Sequence, residues 1–122
     1  MNTVLDTSAI LAFVQDEDGS TAVEEALLNG AVCGAANWSE VAQKVLAADR
    51  DWDLVRALLL SYEVHIEPVT ADDAEWAALR WQTGERLSLA DRLCMALATR
   101  LDTDVLTADT TWGSTDQISQ IR

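Results

Sequence analysis

Short apolar runs alternate with longer amphipathic stretches along the whole chain, which is the pattern of a parallel α/β sheet. Thr3 to Leu5 predicts a first strand that runs straight into Asp6. Ser8 to Val14 predicts a short helix, and Ser20 to Asn29 a second one closed by Gly30. Ala31 to Gly34 is a second strand. Ser39 to Ala48 is helical, and Asp51 to Tyr62 is another helix, with Val55, Leu58 and Leu59 on one face. Val64 to Glu67 forms a third strand, stopped by Pro68. Thr70-x-x-Asp73 is a capping box in front of a helix over Ala71 to Thr83. Leu89 to Arg100 is amphipathic and helical, Asp104 to Thr107 is a fourth strand, a short helix follows Asp109, and Ile118 to Ile121 is a small fifth strand.

No repeat, linker or low-complexity segment interrupts this order, so 122 residues read as one domain spanning 1–122. With 49% hydrophobic and 24% charged residues, the chain can bury a core and is not a disordered tract. Its apolar runs, such as Ala9 to Val14, fall far below the ~20 residues of a membrane span. Met1, Asn2 and Thr3 carry no basic charge ahead of Asp6, which argues against a signal peptide. Cys33 and Cys94 sit among apolar neighbours without metal-ligand spacing, as reduced core thiols of a cytoplasmic protein do.

Charge changes the picture. Twenty-one acids against eight bases leave a net charge of −13, and Lys44 is the only lysine. Such a surface offers nucleic acid no broad electrostatic footprint. To act on a polyanion, the chain needs a local reversal of sign, from a divalent cation or a basic partner. Surface acid also serves solubility, which accounts for many of these residues.

Four acids stand at informative places. Asp6 follows the first strand, and Asp109 follows the fourth in the run Val105-Leu106-Thr107-Ala108-Asp109. Ligands in open parallel sheets bind at the carboxyl ends of strands, where strand order reverses. If strands one and four are neighbours, Asp6 and Asp109 share a crevice. Glu40 and Asp91 are expected to open the third and sixth helices, which start at that same end. Each acid taken alone also fits a capping role, with Asn37-x-x-Glu40 and Ser88-x-x-Asp91 resembling capping boxes. The two roles are compatible, because a carboxylate has lone pairs to spare. Taken together the acids say more. Carboxylates about 5 Å apart repel by roughly 3 kcal/mol per pair at an effective dielectric of 20. Such a group takes up protons or a cation, and oxygen-only donors favour a hard ion, Mg²⁺ or Mn²⁺. A single His and unsuitably spaced cysteines argue against zinc.

At this point the residues resemble a known family. Val4-Leu5-Asp6-Thr7-Ser8-Ala9-Ile10-Leu11-Ala12 resembles the opening of PIN-domain nucleases. Trp38-Ser39-Glu40-Val41 fits their second acidic motif, while Leu87-Ser88-Leu89-Ala90-Asp91 and Val105-Leu106-Thr107-Ala108-Asp109 resemble the later ones. Order, spacing and length are similar to those of VapC-like toxins of type II toxin–antitoxin systems. The resemblance implies a three-layer α/β/α fold with a parallel sheet of four to five strands, in the order 3-2-1-4-5. It implies a Mg²⁺- or Mn²⁺-dependent endoribonuclease whose metal-binding acids are Asp6, Glu40, Asp91 and Asp109. Thr7 or Ser8 resembles the hydroxyl supporting the first acid, and Thr107 the one lining the fourth. A homodimer, an RNA substrate and inhibition by a cognate antitoxin are implied as well.

The remaining candidates are weaker. Arg86 and Arg92 flank Asp91 and are placed to hold phosphates, or to pair with nearby acids such as Glu85. Lys44 lies one turn after Glu40, where an i, i+4 salt bridge is expected. His65 alternates with Val64 and Ile66, which puts it on the solvent side of its strand. Among five tryptophans, Trp76, Trp81 and Trp112 are the candidates for an antitoxin groove. A phosphoreceiver would need a lysine after a late strand, and a haloacid-dehalogenase phosphatase would need an Asp where Ser8 stands. A PIN fold that has lost catalysis and serves only as a binding module is the live alternative, and its mark would be a missing acid.

Overall fold

Val4 and Leu5 are both fully buried on opposite faces of one strand, and that alternation divides the molecule into layers. The computed structural model describes residues 2–115 and 117–122. Met1, part of the stretch read against a signal peptide, lies outside them. Five short strands, β1 (Val4–Leu5), β2 (Val32–Gly34), β3 (His65–Glu67), β4 (Val105–Thr107) and β5 (Ile118–Gln120), form one sheet in the order β3-β2-β1-β4-β5. Every pairing is parallel, with Val4 opposite Val32 and Val105, and Leu5 opposite Leu106.

Leu5 and Cys33 face a core built with α1 (Thr7–Val14), α2 (Ser20–Leu28), α3 (Ala35–Ala47) and α4 (Trp52–Ser61). Val4, Val32 and Val105 face a second core, closed by α6 (Leu89–Leu101), by Trp112 of the 3-10 turn Thr110–Trp112, and by Trp76 of α5 (Ala71–Arg80). The result is the expected three-layer α/β/α fold with strand order 3-2-1-4-5. Each fully enclosed Leu or Val of the sheet contributes about 1.5–3 kcal/mol relative to exposure. No helix among the described residues is long and apolar enough to cross a membrane.

Two boundaries differ from the sequence reading by three residues or more. The third helix starts at Ala35 rather than Ser39, so Glu40 lies in its second turn and does not open it. Asn37 is inside the helix, and Asn37-x-x-Glu40 is not a capping box. The stretch Ala35–Trp38 has no strong helical periodicity of its own. Ala35 and Ala36 are strong helix formers, and Asn37 is tied to α1 through Thr7. The fifth helix stops at Arg80 rather than Thr83, because Trp81 turns to extended backbone and the residues after it are exposed.

Of the tryptophans, Trp112 is buried in the second core and presents no free surface to a partner, contrary to its place among the groove candidates. Trp76 packs half-buried against the same core, and Trp81 is 58% exposed. Trp38 and Trp52 meet edge to face, with ring centroids 5.3 Å apart. His65 is exposed, as expected, and its Nε2 lies 2.9 Å from Glu67 Oε1.

Candidate active site

The site begins with Asp6. Its backbone N–H donates to the carbonyl of Leu106, so the end of β1 is tied to the end of β4. The side chain is 2% exposed. Oδ1 accepts from the Ala9 N–H and from Ser8 Oγ, both at 2.8 Å, and Oδ2 accepts from Thr107 Oγ1 at 2.5 Å. Asp6 is therefore the N-cap of α1 and also a buried acid. Burial pushes its pKa up to about 6, while the bonds from Thr107, Ala9 and Ser8 pull it back and the charge of Asp91 adds to the rise.

Thr107 and Ser8 join this acid to the next. The Asp109 N–H donates to Thr107 Oγ1 at 3.0 Å, and the Ala108 N–H donates to Ser8 Oγ at 2.9 Å. Asp109 caps the 3-10 turn, its Oδ1 accepting from the Thr111 N–H at 2.9 Å and from the Thr111 hydroxyl at 2.7 Å. Asp91 and Ser88 form a true capping box at the start of α6, with reciprocal bonds of 3.0 and 3.1 Å. Burial raises the Asp91 pKa, the Ser88 bonds lower it, and the charges of Asp109 and Glu40 raise it further. On α3, Glu40 Oε1 accepts from Thr7 Oγ1 at 2.7 Å. The two hydroxyls after Asp6 are thus divided between two acids, Ser8 serving Asp6 and Thr7 serving Glu40.

These elements enclose a cleft of about 250 Å³ lined by Asp6, Glu40, Asp91 and Asp109 with Thr7, Ser8, Leu11, Ser88 and Lys44. Four carboxylates from separate parts of the chain share it. Both sequence alternatives hold at once, because Asp6, Asp91 and Asp109 are caps as well as cleft acids. Among the described residues, Glu40, Asp91 and Asp109 each use one oxygen for these local bonds and none for the other.

The donor chemistry fits a hard divalent cation, since the lining offers carboxylate and hydroxyl oxygens and neither imidazole nor thiolate. Among the described residues, however, no three His, Cys, Asp or Glu side chains stand close enough together to form a ready coordination sphere. Each of the four acids is instead engaged in local hydrogen bonds. The thiols are no alternative, because burial pushes Cys33 up to about 12 and Cys94 well above its usual value, so both remain protonated and free.

The arginines lie elsewhere. Neither Arg86 nor Arg92 lines the cleft. Arg92 donates to the carbonyl of Ala77 at 2.6 Å, and Glu85 is taken by Arg80, at 2.6 and 3.0 Å. The cation that does line the cleft is Lys44, and among the described residues it makes no ion pair with Glu40 or any other acid. The i, i+4 spacing predicted a pair. Glu40 instead turns to Thr7 on α1, a partner that helix spacing does not reveal.

A parallel sheet with a carboxylate-lined cleft at the strand ends defines the class. The family model of the PIN domain matches residues 3–117, and the chain belongs to that family. A search of curated proteins finds no match. Among solved structures, the fold is similar to a chain of a toxin–antitoxin complex from Klebsiella pneumoniae, with TM-score 0.76 and 19% identity over 99% of this chain and 98% of that one. VapBC2 from Rickettsia felis, bound to a DNA fragment from its promoter, aligns with TM-score 0.73 and 14% identity over 98% of each chain. VapC20 of Mycobacterium tuberculosis, described as a sarcin–ricin loop cleaving toxin, aligns with TM-score 0.72 and 16% identity over 94% of this chain and 98% of that one.

Proposed function

We propose that this chain, a single PIN domain over residues 1–122, is a Mg²⁺- or Mn²⁺-dependent endoribonuclease that acts as the toxin of a type II toxin–antitoxin pair. The observation that carries the reading is the convergence of Asp6, Glu40, Asp91 and Asp109 on one cleft of a PIN-family chain. These four acids would hold the cation. When bound there, a divalent cation polarises a phosphate oxygen and acidifies a water. Hydrolysis then forms a bond from water oxygen to phosphorus and breaks the bond from phosphorus to the 3′ oxygen.

The chain's own part is positional. Ser8, Thr107 and the Ala9 N–H fix both oxygens of Asp6. Thr7 holds Glu40, and the Ser88 box holds Asp91. Lys44 at the cleft is placed to take a substrate phosphate, a role the sequence suggested for Arg86 and Arg92. RNA enters against a net charge of −13, so cation and Lys44 together supply the local reversal of sign.

The partner reading follows the structural neighbours, whose descriptions are of toxin–antitoxin assemblies. A cognate antitoxin, a homodimer and a cytoplasmic setting belong to this proposal. Trp81 and Leu79, 58% and 88% exposed, are apolar side chains available to a protein partner.

The test is purified protein, freed of any antitoxin, with labelled RNA and Mn²⁺ or Mg²⁺. Cleavage is expected, with loss in EDTA and in Asp6→Asn. Equal cleavage by the variant, or activity indifferent to EDTA, overturns the nuclease reading. A protein that neither binds Mn²⁺ by calorimetry nor cuts RNA is the silent binding module instead.

A further inference from the structure

Asn37 is 1% exposed in the first part of α3, an unusual place for an amide. Its Nδ2 donates to Thr7 Oγ1 at 3.0 Å, and Thr7 Oγ1 in turn donates to Glu40 Oε1 at 2.7 Å. Thr7 has one hydroxyl proton and two acceptors in reach, the Glu40 carboxylate at 2.7 Å and the Asn37 backbone carbonyl at 3.4 Å, and the shorter, charge-assisted bond to Glu40 takes it. The amide must then offer Thr7 an N–H. Asn37 Oδ1 is left buried with no hydrogen-bond partner. It faces Gly34, where an added Cβ would stand 3.6 Å away.

Packing does not account for this residue. An unpaired buried amide oxygen is destabilising, and an apolar side chain of similar size would fill the space without it. Glu40 has three side-chain torsions and lies at the cleft, so it needs an anchor to keep one direction. The relay supplies that anchor from the core side.

We propose that Asn37 is a positioning residue that acts through Thr7 to aim the Glu40 carboxylate into the cleft. The inference rests on the cation-binding reading above and extends it to a residue outside the cleft lining.

The test uses Asn37→Leu, Thr7→Val, Thr7→Ser, Glu40→Gln and the double variant Asn37→Leu/Glu40→Gln. Two readouts are taken, Mn²⁺ affinity by calorimetry and the melting temperature in EDTA. Asn37→Leu and Thr7→Val should each weaken Mn²⁺ binding by about 10- to 100-fold. The Asn37→Leu melting temperature should stay at or above that of the wild type, a divergence that a purely structural role does not produce, whereas Thr7→Val strands the buried Asn37 amide and should melt lower. Thr7→Ser should restore most of the affinity lost in Thr7→Val. In the Glu40→Gln background, Asn37→Leu should add nothing, because the group it positions is already gone. Wild-type affinity in both Asn37→Leu and Thr7→Val, or a full additional loss in the double variant, overturns the inference. If Asn37→Leu does not fold, Asn37→Ala removes the same N–H donor and carries the comparison of Mn²⁺ affinity. A wild-type protein that neither binds Mn²⁺ nor cleaves RNA sinks the nuclease reading itself. A working wild type with indifferent variants sinks only the role of Asn37.

Discussion

Asp6 is held in a conflict that metal binding would relieve. Its folded pKa of about 6 lies above the usual 3.8, so the fold favours the protonated form. The associated stability is intact below the unfolded value and lost as pH rises through the folded one. At 1.36 kcal/mol per pH unit, ionised Asp6 costs about 3 kcal/mol above pH 6. Asp6→Asn should therefore melt higher than wild type at pH 7.5 in EDTA, with the gap closing toward pH 4, while RNA cleavage is lost. A gap independent of pH would show that Asp6 is not the group responsible. Lys44 is the second residue at this scale. Lys44→Ala should weaken single-stranded RNA binding and reduce the slope of log affinity against log salt by ~0.7, the share of one phosphate contact. Fluorescence anisotropy in the Asp6→Asn background, where RNA stays uncut, measures both. An unchanged slope would remove Lys44 from the RNA contact.

At the level of elements, three caps double as cleft acids, so helix stability and site geometry are joined. Ser88→Ala removes one half of the α6 capping box. It should cost about 1 kcal/mol in thermal or denaturant unfolding. It should also weaken Mn²⁺ binding, since the Asp91 backbone N–H loses the Ser88 hydroxyl and the first turn that carries the carboxylate loosens, even though the Ser88 N–H still bonds that carboxylate. A stability loss with unchanged Mn²⁺ affinity would separate the cap from the site. Strands and most helices were legible because apolar periodicity reports which face is buried. Asp6, Asp91 and Asp109 were legible as caps and as strand-end acids. The start of α3 was not, because residues 35–38 carry no apolar period and the bond that ties Asn37 to Thr7 is long-range. The end of α5 was overrun because Trp81 and Thr83 continue a plausible pattern, although they pack against nothing that would hold a further turn.

Across the whole molecule, acid outweighs base by thirteen charges, and the cleft concentrates that excess. A cation that binds the folded state alone should raise the melting temperature by mass action, about 2.7 kcal/mol at one hundred times its dissociation constant. Mn²⁺ or Mg²⁺ should therefore stabilise the wild type more than an equal ionic strength of NaCl, and Asp6→Asn should lose that excess. Equal shifts from NaCl and Mn²⁺ would mean general screening and no site.

Fold class, strand order and the identity of the four acids follow from local pattern and from a family resemblance that spans the chain. Apolar spacing and acids after strands are properties of neighbouring residues, so they can be read along a line. Which side chains meet is a property of distant ones. Only the packed structure assigned Ser8 to Asp6 and Thr7 to Glu40, set Arg92 against the carbonyl of Ala77, left Lys44 as the cation of the cleft, and buried Trp112 and Asn37. A hydrogen bond between residues thirty or a hundred positions apart leaves no period in the sequence.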